Sequence, residues 1–288
     1  MKRKDGVRVP LKDVEPMYLV AAHIMNKRVD SMNMISLDIP LEPMLNYVHK
    51  KRDEGTKISR LAIFLAAYLR VVAEFPELNR FVVNSKIYSR NELAVGMVVL
   101  KGSMTDGGTM SKIYFQPTDT VFDVQRKLTE YIDSNRQAQP NNGTEKIIKV
   151  LLSIPGLVRV GVKLFKWMDR HNLLPKAIID VSPFHASLLI TDLASIRTGA
   201  IYHHVYEFGT TSVGVAIGNT KELPKMKDGQ MVLAKHMPLG IVMDERIASG
   251  SYFAMAFHKM QGYFKNPELL ETPPQVIHPE IKRVFKMD

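Results

Sequence analysis

Apolar positions along this chain alternate between two periods. From Met17 to Val29, Val20, Ile24 and Arg28 fall on one helical stripe, and Val14-Glu15-Pro16 sets the helix start. Met34 to Leu41 alternates: Leu37, Ile39 and Leu41 point one way, Ser36 and Asp38 the other, as in a half-buried strand. Pro40 places the strand end or a sheet edge there. Pro43 to Glu54 reads as a second helix closed by Gly55. Ser59 caps a third, running to Phe75, whose stretch Leu61 to Ala67 is apolar all round and so predicts burial on most sides. Phe81 to Val83 and Lys86 to Tyr88 flank Asn84-Ser85 as a hairpin. Glu92 to Leu100 is an apolar strand. Thr120 to Arg136 is an amphipathic helix with Val121, Val124, Leu128 and Ile132 on one stripe. Three further apolar strands, Ala186 to Ile190, Ser212 to Ile217 and Leu239 to Met243, precede a last helix, Ser251 to Phe264, with Phe253, Phe257, Met260 and Phe264 on one face.

Helices come early and strands late, without a regular β-α-β alternation. The expected fold class is therefore α/β: a two-layer sandwich with a mixed β-sheet covered by helices, not a doubly wound parallel sheet. One domain is expected over 11–274. Residues 1–10 are expected to be a flexible N-terminus and 275–288 a polar C-terminal tail.

Composition narrows the partners. Lys and Arg outnumber Asp and Glu by 39 to 29, a formal charge of +10, which favours anionic partners in general. The basic residues are spread along the chain, and there is no helix-turn-helix or aromatic-basic pattern, so no nucleic-acid role is expected. There is no cysteine, which excludes disulfides, thiolate metal ligands and a cysteine nucleophile. The basic start is not followed by an apolar stretch, so it is not a secretory signal. Leu61 to Leu69, the longest clean apolar run, falls short of the ~20 residues needed to span a bilayer. A cytoplasmic location is the default expectation.

Four blocks, in order, carry a family resemblance. They are Ala67 to Phe81 with Pro76-Glu77-Leu78-Asn79, Leu189-Ile190-Thr191-Asp192-Leu193, Ser212 to Gly218, and Met243-Asp244-Glu245-Arg246-Ile247-Ala248-Ser249-Gly250 running into the last helix and Asn266-Pro267. Together they resemble the catalytic domain of the dihydrolipoyl acyltransferases of 2-oxoacid dehydrogenase complexes, which shares its fold with chloramphenicol acetyltransferase. The resemblance implies an acyltransferase-like domain over 11–274 and transfer of an acyl group between a coenzyme A thioester and a thiol or hydroxyl acceptor. It also implies a homotrimer whose active site lies in a channel between neighbouring subunits. The complete dehydrogenase subunit carries a lipoyl domain on a Pro/Ala-rich linker, and no stretch of this chain reads as either. A small-molecule acceptor, or one borne by a carrier on another protein, is therefore expected.

Two departures from the family pattern stand out. Glu245 occupies the position of the catalytic histidine, and Ser249 that of an aspartate, while Asp244, Arg246 and Gly250 stay in place. The oxyanion-stabilising hydroxyl of the family falls on Thr191. The base must take a proton from a thiol of pKa ~8.5. From histidine at ~6.5 to an ordinary glutamate at ~4.3, the transfer becomes steeper by about two units, or roughly 3 kcal/mol. Either Glu245 serves as a slow carboxylate base, or the site has lapsed and the chain is a non-catalytic binding or scaffold homologue. Arg28 is the expected partner left without the aspartate at 249; Glu245 and Asp30 are its alternative partners. If the segment stays extended, Glu245 and Arg246 point to opposite sides, and the family pattern puts Glu245 toward the channel.

Other constellations read as structural. His203-His204, taken as adjacent strand residues, would face opposite ways and share no metal. His185, read as lying on the same strand as Ser187, is a candidate base outweighed by a packing role. Thr105-Asp106-Gly107-Gly108 lacks phosphate-loop spacing and reads as a loop. No metal site is expected. Residues 146–174 mix apolar positions with Lys146, Lys149, Arg159, Lys163, Lys166 and Arg170, broken into two helices at Pro155-Gly156. This helical insertion is the part least covered by the resemblance. A helical hairpin docked on the core is the expected reading, and contact with an acidic membrane the weaker one.

Overall fold

The structure, a computed structural model, describes residues 2–100, 108–137, 150, 152–153 and 156–287. At its centre lies α3 (Arg60–Glu74), buried almost without interruption from Ala62 to Ala73, because its sequence offers no polar face. The Ser59 side chain accepts a hydrogen bond from the Ala62 amide at 3.1 Å and fixes its start. Phe64 stacks on Phe264, with ring centroids 5.9 Å apart, and so ties α3 to α7 (Gly250–Lys265). With α2 (Glu42–Asp53) and α4 (Val121–Gln137), these helices form one layer.

The other layer is a seven-stranded sheet. Its path runs β2 (Met32–Pro40), β10 (Gln230–Asp244), β8 (Val213–Ile217), β7 (Leu188–Asp192), β5 (Leu93–Leu100), β6 (Gly108–Phe115), and β9 (Lys221–Lys227) pairs with the outer end of β10. The β5–β7 and β7–β8 pairs are parallel and the rest antiparallel. This is the mixed, helix-covered two-layer sandwich expected. Ile190, Val215, Ile241 and Met243 point into the helical layer and join a single core. The opposite face carries Gly214, Ala216, Gly218 and, in register with Ala216, Gly240. Residues 199–205 cross this face so closely that a Cβ at Gly240 would lie 2.1 Å from the Ile201 carbonyl oxygen, and one at Gly218 2.1 Å from the Ala200 nitrogen. Side chains are excluded there by the approach of backbone to backbone.

A second, three-stranded sheet is formed by β1 (Gly6–Arg8), β4 (Lys86–Arg90) and β3 (Arg80–Val83). The expected hairpin turns at Asn84 and Ser85, both with positive φ, as a two-residue hairpin requires. The ends of the chain depart from expectation. The first ten residues supply β1 and the buried pair Arg3 and Asp5, held by ion pairs that no local pattern announces. The expected polar tail contains α8 (Pro279–Phe285), whose Ile281 enters the core.

Helix α1 (Pro16–Ile24) stops five residues before Val29, and its expected apolar stripe is turned outward: Val20 and Ile24 are exposed, while Ala22 is buried. Strands β6 and β9, like β1, have no counterpart in the periodicity. The β9–β10 ribbon stands away from the core, so its Met and Lys residues alternate without a buried side. In the 146–174 insertion, α5 (Leu157–Arg170) follows Gly156, whose φ of +80° supports the expected break. Residues 146–149, 151 and 154–155 of the insertion, and Thr105 to Gly107, lie outside the described residues. A short α6 (Lys176–Val181) leads into β7.

Candidate functional site

Strand β10 delivers the candidate motif. It ends at Asp244, the chain turns through 245–249, and Ser249 starts α7 by accepting a hydrogen bond from the Tyr252 amide at 3.0 Å. Asp244 is completely buried. Its Oδ1 accepts from Arg246 Nε at 2.8 Å and from the Arg246 amide and Ser31 Oγ, each at 3.1 Å; its Oδ2 accepts from Arg246 Nη2 at 2.7 Å. Arg28 Nε stands 3.5 Å from the same Oδ2. Burial pushes the Asp244 carboxyl up, but the Arg246 hydrogen bonds and the charges of Arg246 and Arg28 outweigh it and hold the group below the ordinary carboxylate range.

Arg28 therefore faces Asp244, not Glu245, Asp30 or Ser249. Its Nη1 donates to the carbonyls of Tyr206 at 2.7 Å and Gly209 at 3.1 Å, and its amide donates to Glu207 Oε2 at 2.9 Å. Burial, set against the charge of Asp244, pulls the guanidinium below its ordinary value. Arg246 reaches across to the Met25 carbonyl at 3.0 Å. Together these contacts fasten the end of β10, the 25–31 segment and the 206–209 loop into one block.

Glu245 takes no part in that block. Its amide donates to the Ser31 carbonyl at 2.7 Å, while its half-buried side chain makes no ion pair and no hydrogen bond with the described residues. The segment does not stay extended: β10 ends at Asp244, and the turn at Glu245 and Arg246 folds Arg246 back onto Asp244 in the interior, while Glu245 does not follow them. Ser249, besides capping α7, lies 2.8 Å from Ser251 Oγ, so its hydroxyl is engaged in local structure. Gly250 is exposed and opens α7, with nothing within 4 Å of the place a Cβ would take.

Thr191 is half-buried on β7, and the sheet register separates it from Glu245 within one chain. Thr191 pairs with Ala216, and Ala216 with Gly240. Two strand spacings across and five residues along β10 put Thr191 and Glu245 roughly 20 Å apart. Thr191 shares the face of Ala216 and Gly240, the one crossed by residues 199–205. One copy of the chain thus brings together Asp244, Arg246 and Arg28, and does not bring Glu245 to Thr191.

The histidines also depart from the sequence reading. His203 and His204 lie in an irregular segment, not a strand, and their rings are 4.9 Å apart instead of on opposite faces. His185 precedes β7 and is fully buried, with Nδ1 2.8 Å from Ser182 Oγ and Nε2 3.4 Å from Asp169 Oδ2. Asp169 also accepts from Arg3 Nη2 at 2.8 Å, and Arg3 grips Asp5 through Nε at 2.7 Å and Nη2 at 3.0 Å. This ionic cluster latches α5 to the first residues of the chain. Ser31, Glu207, Asp169 and Arg3 were not legible as partners, because the contacts Ser31–Asp244, Arg28–Glu207 and Arg3–Asp169 each span more than 160 positions of sequence. Among the described residues, no group of three or more acidic, histidine or cysteine side chains is placed to hold a metal, and no helix is long and apolar enough to cross a membrane.

Residues 212–272 match the family model of the 2-oxoacid dehydrogenases acyltransferase (catalytic domain). That stretch spans β8, β9, β10, the turn from Glu245 to Ser249 and α7. No curated protein matches the chain by sequence. Solved structures share the fold. A probable dihydrolipoamide acetyltransferase from Listeria monocytogenes superposes with a TM-score of 0.56 at 13% identity, covering 90% of this chain and 94% of its own. The dihydrolipoamide acetyltransferase of Azotobacter vinelandii does so with a TM-score of 0.57 at 13% identity, covering 92% and 93%. A chloramphenicol acetyltransferase gives 0.56 at 10% identity, covering 90% and 100%. The resemblance read from the four blocks and the expected fold are thus both supported. The Azotobacter structure was used to investigate a serine, a histidine and an asparagine in that enzyme's catalytic mechanism, the asparagine four positions after the histidine.

Proposed function

We propose that this chain is a coenzyme-A-dependent acyltransferase-like protein that moves an acyl group between a coenzyme A thioester and a thiol or hydroxyl acceptor, through a degenerate site with slow turnover. The observation that carries this reading is the coincidence of two matches. The family model covers the stretch that ends β10 and begins α7, and the acyltransferase fold covers 90% to 92% of the chain. Glu245 and Ser249 stand at the same four-residue interval as the histidine and asparagine studied in the Azotobacter enzyme.

In this reading, Glu245 is the base. Its carboxylate takes the acceptor's proton, the acceptor sulfur or oxygen forms a bond to the thioester carbonyl carbon, and the Thr191 hydroxyl of a neighbouring copy donates to the oxyanion. Collapse breaks the bond to the coenzyme A sulfur, which recovers the proton from Glu245. The separation of roughly 20 Å within one chain is the reason the site is assigned to two copies, as in a homotrimer. Asp244, Arg246 and Arg28 hold the backbone from which Glu245 projects.

A second reading has a specific observation in its favour. Ser249 is spent as a helix cap and Arg28 is committed to Asp244, so neither supports Glu245 electrostatically. On that reading the chain binds a thioester or a partner and turns nothing over. Calorimetry with coenzyme A and an acyl-coenzyme-A turnover assay separate the two. Turnover lost in Glu245→Gln supports the carboxylate base, whereas turnover that survives this change removes Glu245 from the mechanism. Binding without turnover, with activity gained by Glu245→His combined with Ser249→Asp, marks a lapsed site. The absence of both binding and turnover rejects the acyltransferase reading.

A further inference from the structure

The Asp244 block has a second side. A cleft of about 260 Å³ opens between the 25–31 segment, the β3–β4 turn and α5, with Arg28, Arg246, Lys166 and Arg170 as its cations and Asp169 and Glu207 as its carboxylates. Both carboxylates are already engaged: Asp169 by Arg3 and His185, Glu207 by the Arg28 amide. Asp244, behind the wall, is one negative charge shared by two guanidinium groups. Lys166 forms no ion pair with the described residues, and Arg170 contacts only the neutral Asn84 Oδ1, at 3.3 Å. The cleft is left with an excess of positive charge.

One donor is conspicuously unserved. Arg28 is 3% exposed; its Nη1 serves two backbone carbonyls and its buried Nε faces Asp244 Oδ2 at 3.5 Å, while its Nη2 makes no hydrogen bond with the described residues. A guanidinium that lines an open cleft with its Nη2 unserved can take an anionic oxygen from outside the chain. Three arginines and a lysine, from the 25–31 segment, the turn after β10 and α5, suit a tetrahedral dianion with several acceptor oxygens better than a single carboxylate.

We propose that this cleft is a phosphate-binding site, taking a free phosphate or the phosphate group of a larger phosphoester between Arg28, Arg246, Lys166 and Arg170. It is separate from the acyl-transfer reading, since Glu245 and Thr191 do not line it. Half of its cations come from α5, within the helical insertion that is least covered by the family resemblance. The insertion thus has a role of its own, closing a basic cleft over the block that ends β10.

The proposal is tested by calorimetry and thermal denaturation of the full chain with inorganic phosphate, at constant ionic strength set with chloride. Saturable binding and a rise in Tm with phosphate, weakened at least tenfold in the Lys166→Ala, Arg170→Ala double variant, would support the site. Both side chains are exposed, so the double variant should fold; if its own Tm is lowered, Lys166→Gln, which has no ion pair to lose, is used in its place. A response no greater than that to chloride, or one undiminished in the variants, overturns the proposal. Competition then identifies the source: displacement of phosphate by coenzyme A points to a phosphoester cofactor, and phosphate binding unaffected by coenzyme A to a free phosphate or another phosphoester. Phosphate binding in a chain that shows no acyl turnover would leave this site standing while the acyltransferase reading fails.

Discussion

Arg246 closes a two-pronged ion pair on Asp244, only two positions before it, with Nε at 2.8 Å from Oδ1 and Nη2 at 2.7 Å from Oδ2. The pair is buried, and Arg28 adds a second positive charge beside it. Removing the carboxylate charge leaves two guanidinium groups without their counter-ion. Asp244→Asn should therefore cost about 3–5 kcal/mol, the range for breaking a buried pair from one side. Urea denaturation measures this, and a cost below about 1 kcal/mol would show that the pair does not hold the end of β10 in place.

The acid limb of stability follows from the same contacts. The carboxyls of Asp244, Asp169 and Glu280 are all held below the ordinary range: burial works against this, and neighbouring Arg or His partners outweigh it. A depressed folded-state value means that the stabilisation is complete above the unfolded-state value of about 4 and is lost as pH falls through the lower folded values. Stability should thus begin to fall near pH ~4 and continue to fall below it. Asp244→Asn should give a shallower acid limb than wild type, and an identical slope would count against the assignment.

Gly240 and Gly250 should respond oppositely to alanine. At Gly240 the new Cβ would meet the Ile201 carbonyl oxygen at 2.1 Å, so residues 199–205 must lift from the sheet. A loss of several degrees in Tm and new proteolytic cuts in that segment are expected. Gly250 begins α7 in open space, and alanine there should be neutral or stabilising by up to about 1 kcal/mol.

Ser249→Ala removes the cap of α7 and should cost about 1 kcal/mol. Ser249→Asp keeps a side-chain acceptor at the same place and adds a negative charge at a helix N-terminus, so its stability should match or exceed wild type. If both variants fall equally, the hydroxyl acts through Ser251 instead of the Tyr252 amide.

Glu245→Gln should leave stability within about 0.5 kcal/mol, since the side chain has no ion pair or hydrogen bond with the described residues. A larger loss, measured by the same denaturation, would reveal a structural partner for Glu245 and weaken any catalytic interpretation of an activity change.

The sequence alone determined the local elements whose signals are local. Ser59 and Thr120 announce helices that the structure caps at those residues, the apolar circumference of α3 announces its central place, and the order of the four blocks announces the mixed sandwich. The candidate motif was legible as a string, including the departures at Glu245 and Ser249. Tertiary structure decided where its members go. Arg28 turns to Asp244 because a buried carboxylate draws the nearest unsatisfied cation, and no spacing rule encodes that choice across more than two hundred residues. The sheet register, set by pairings between distant strands, holds Thr191 far from Glu245 within one chain. The outward turn of Val20 and Ile24 and the burial of Arg3 and Asp5 have the same origin: a periodic pattern says that one face differs from another, and only packing decides which face meets the core.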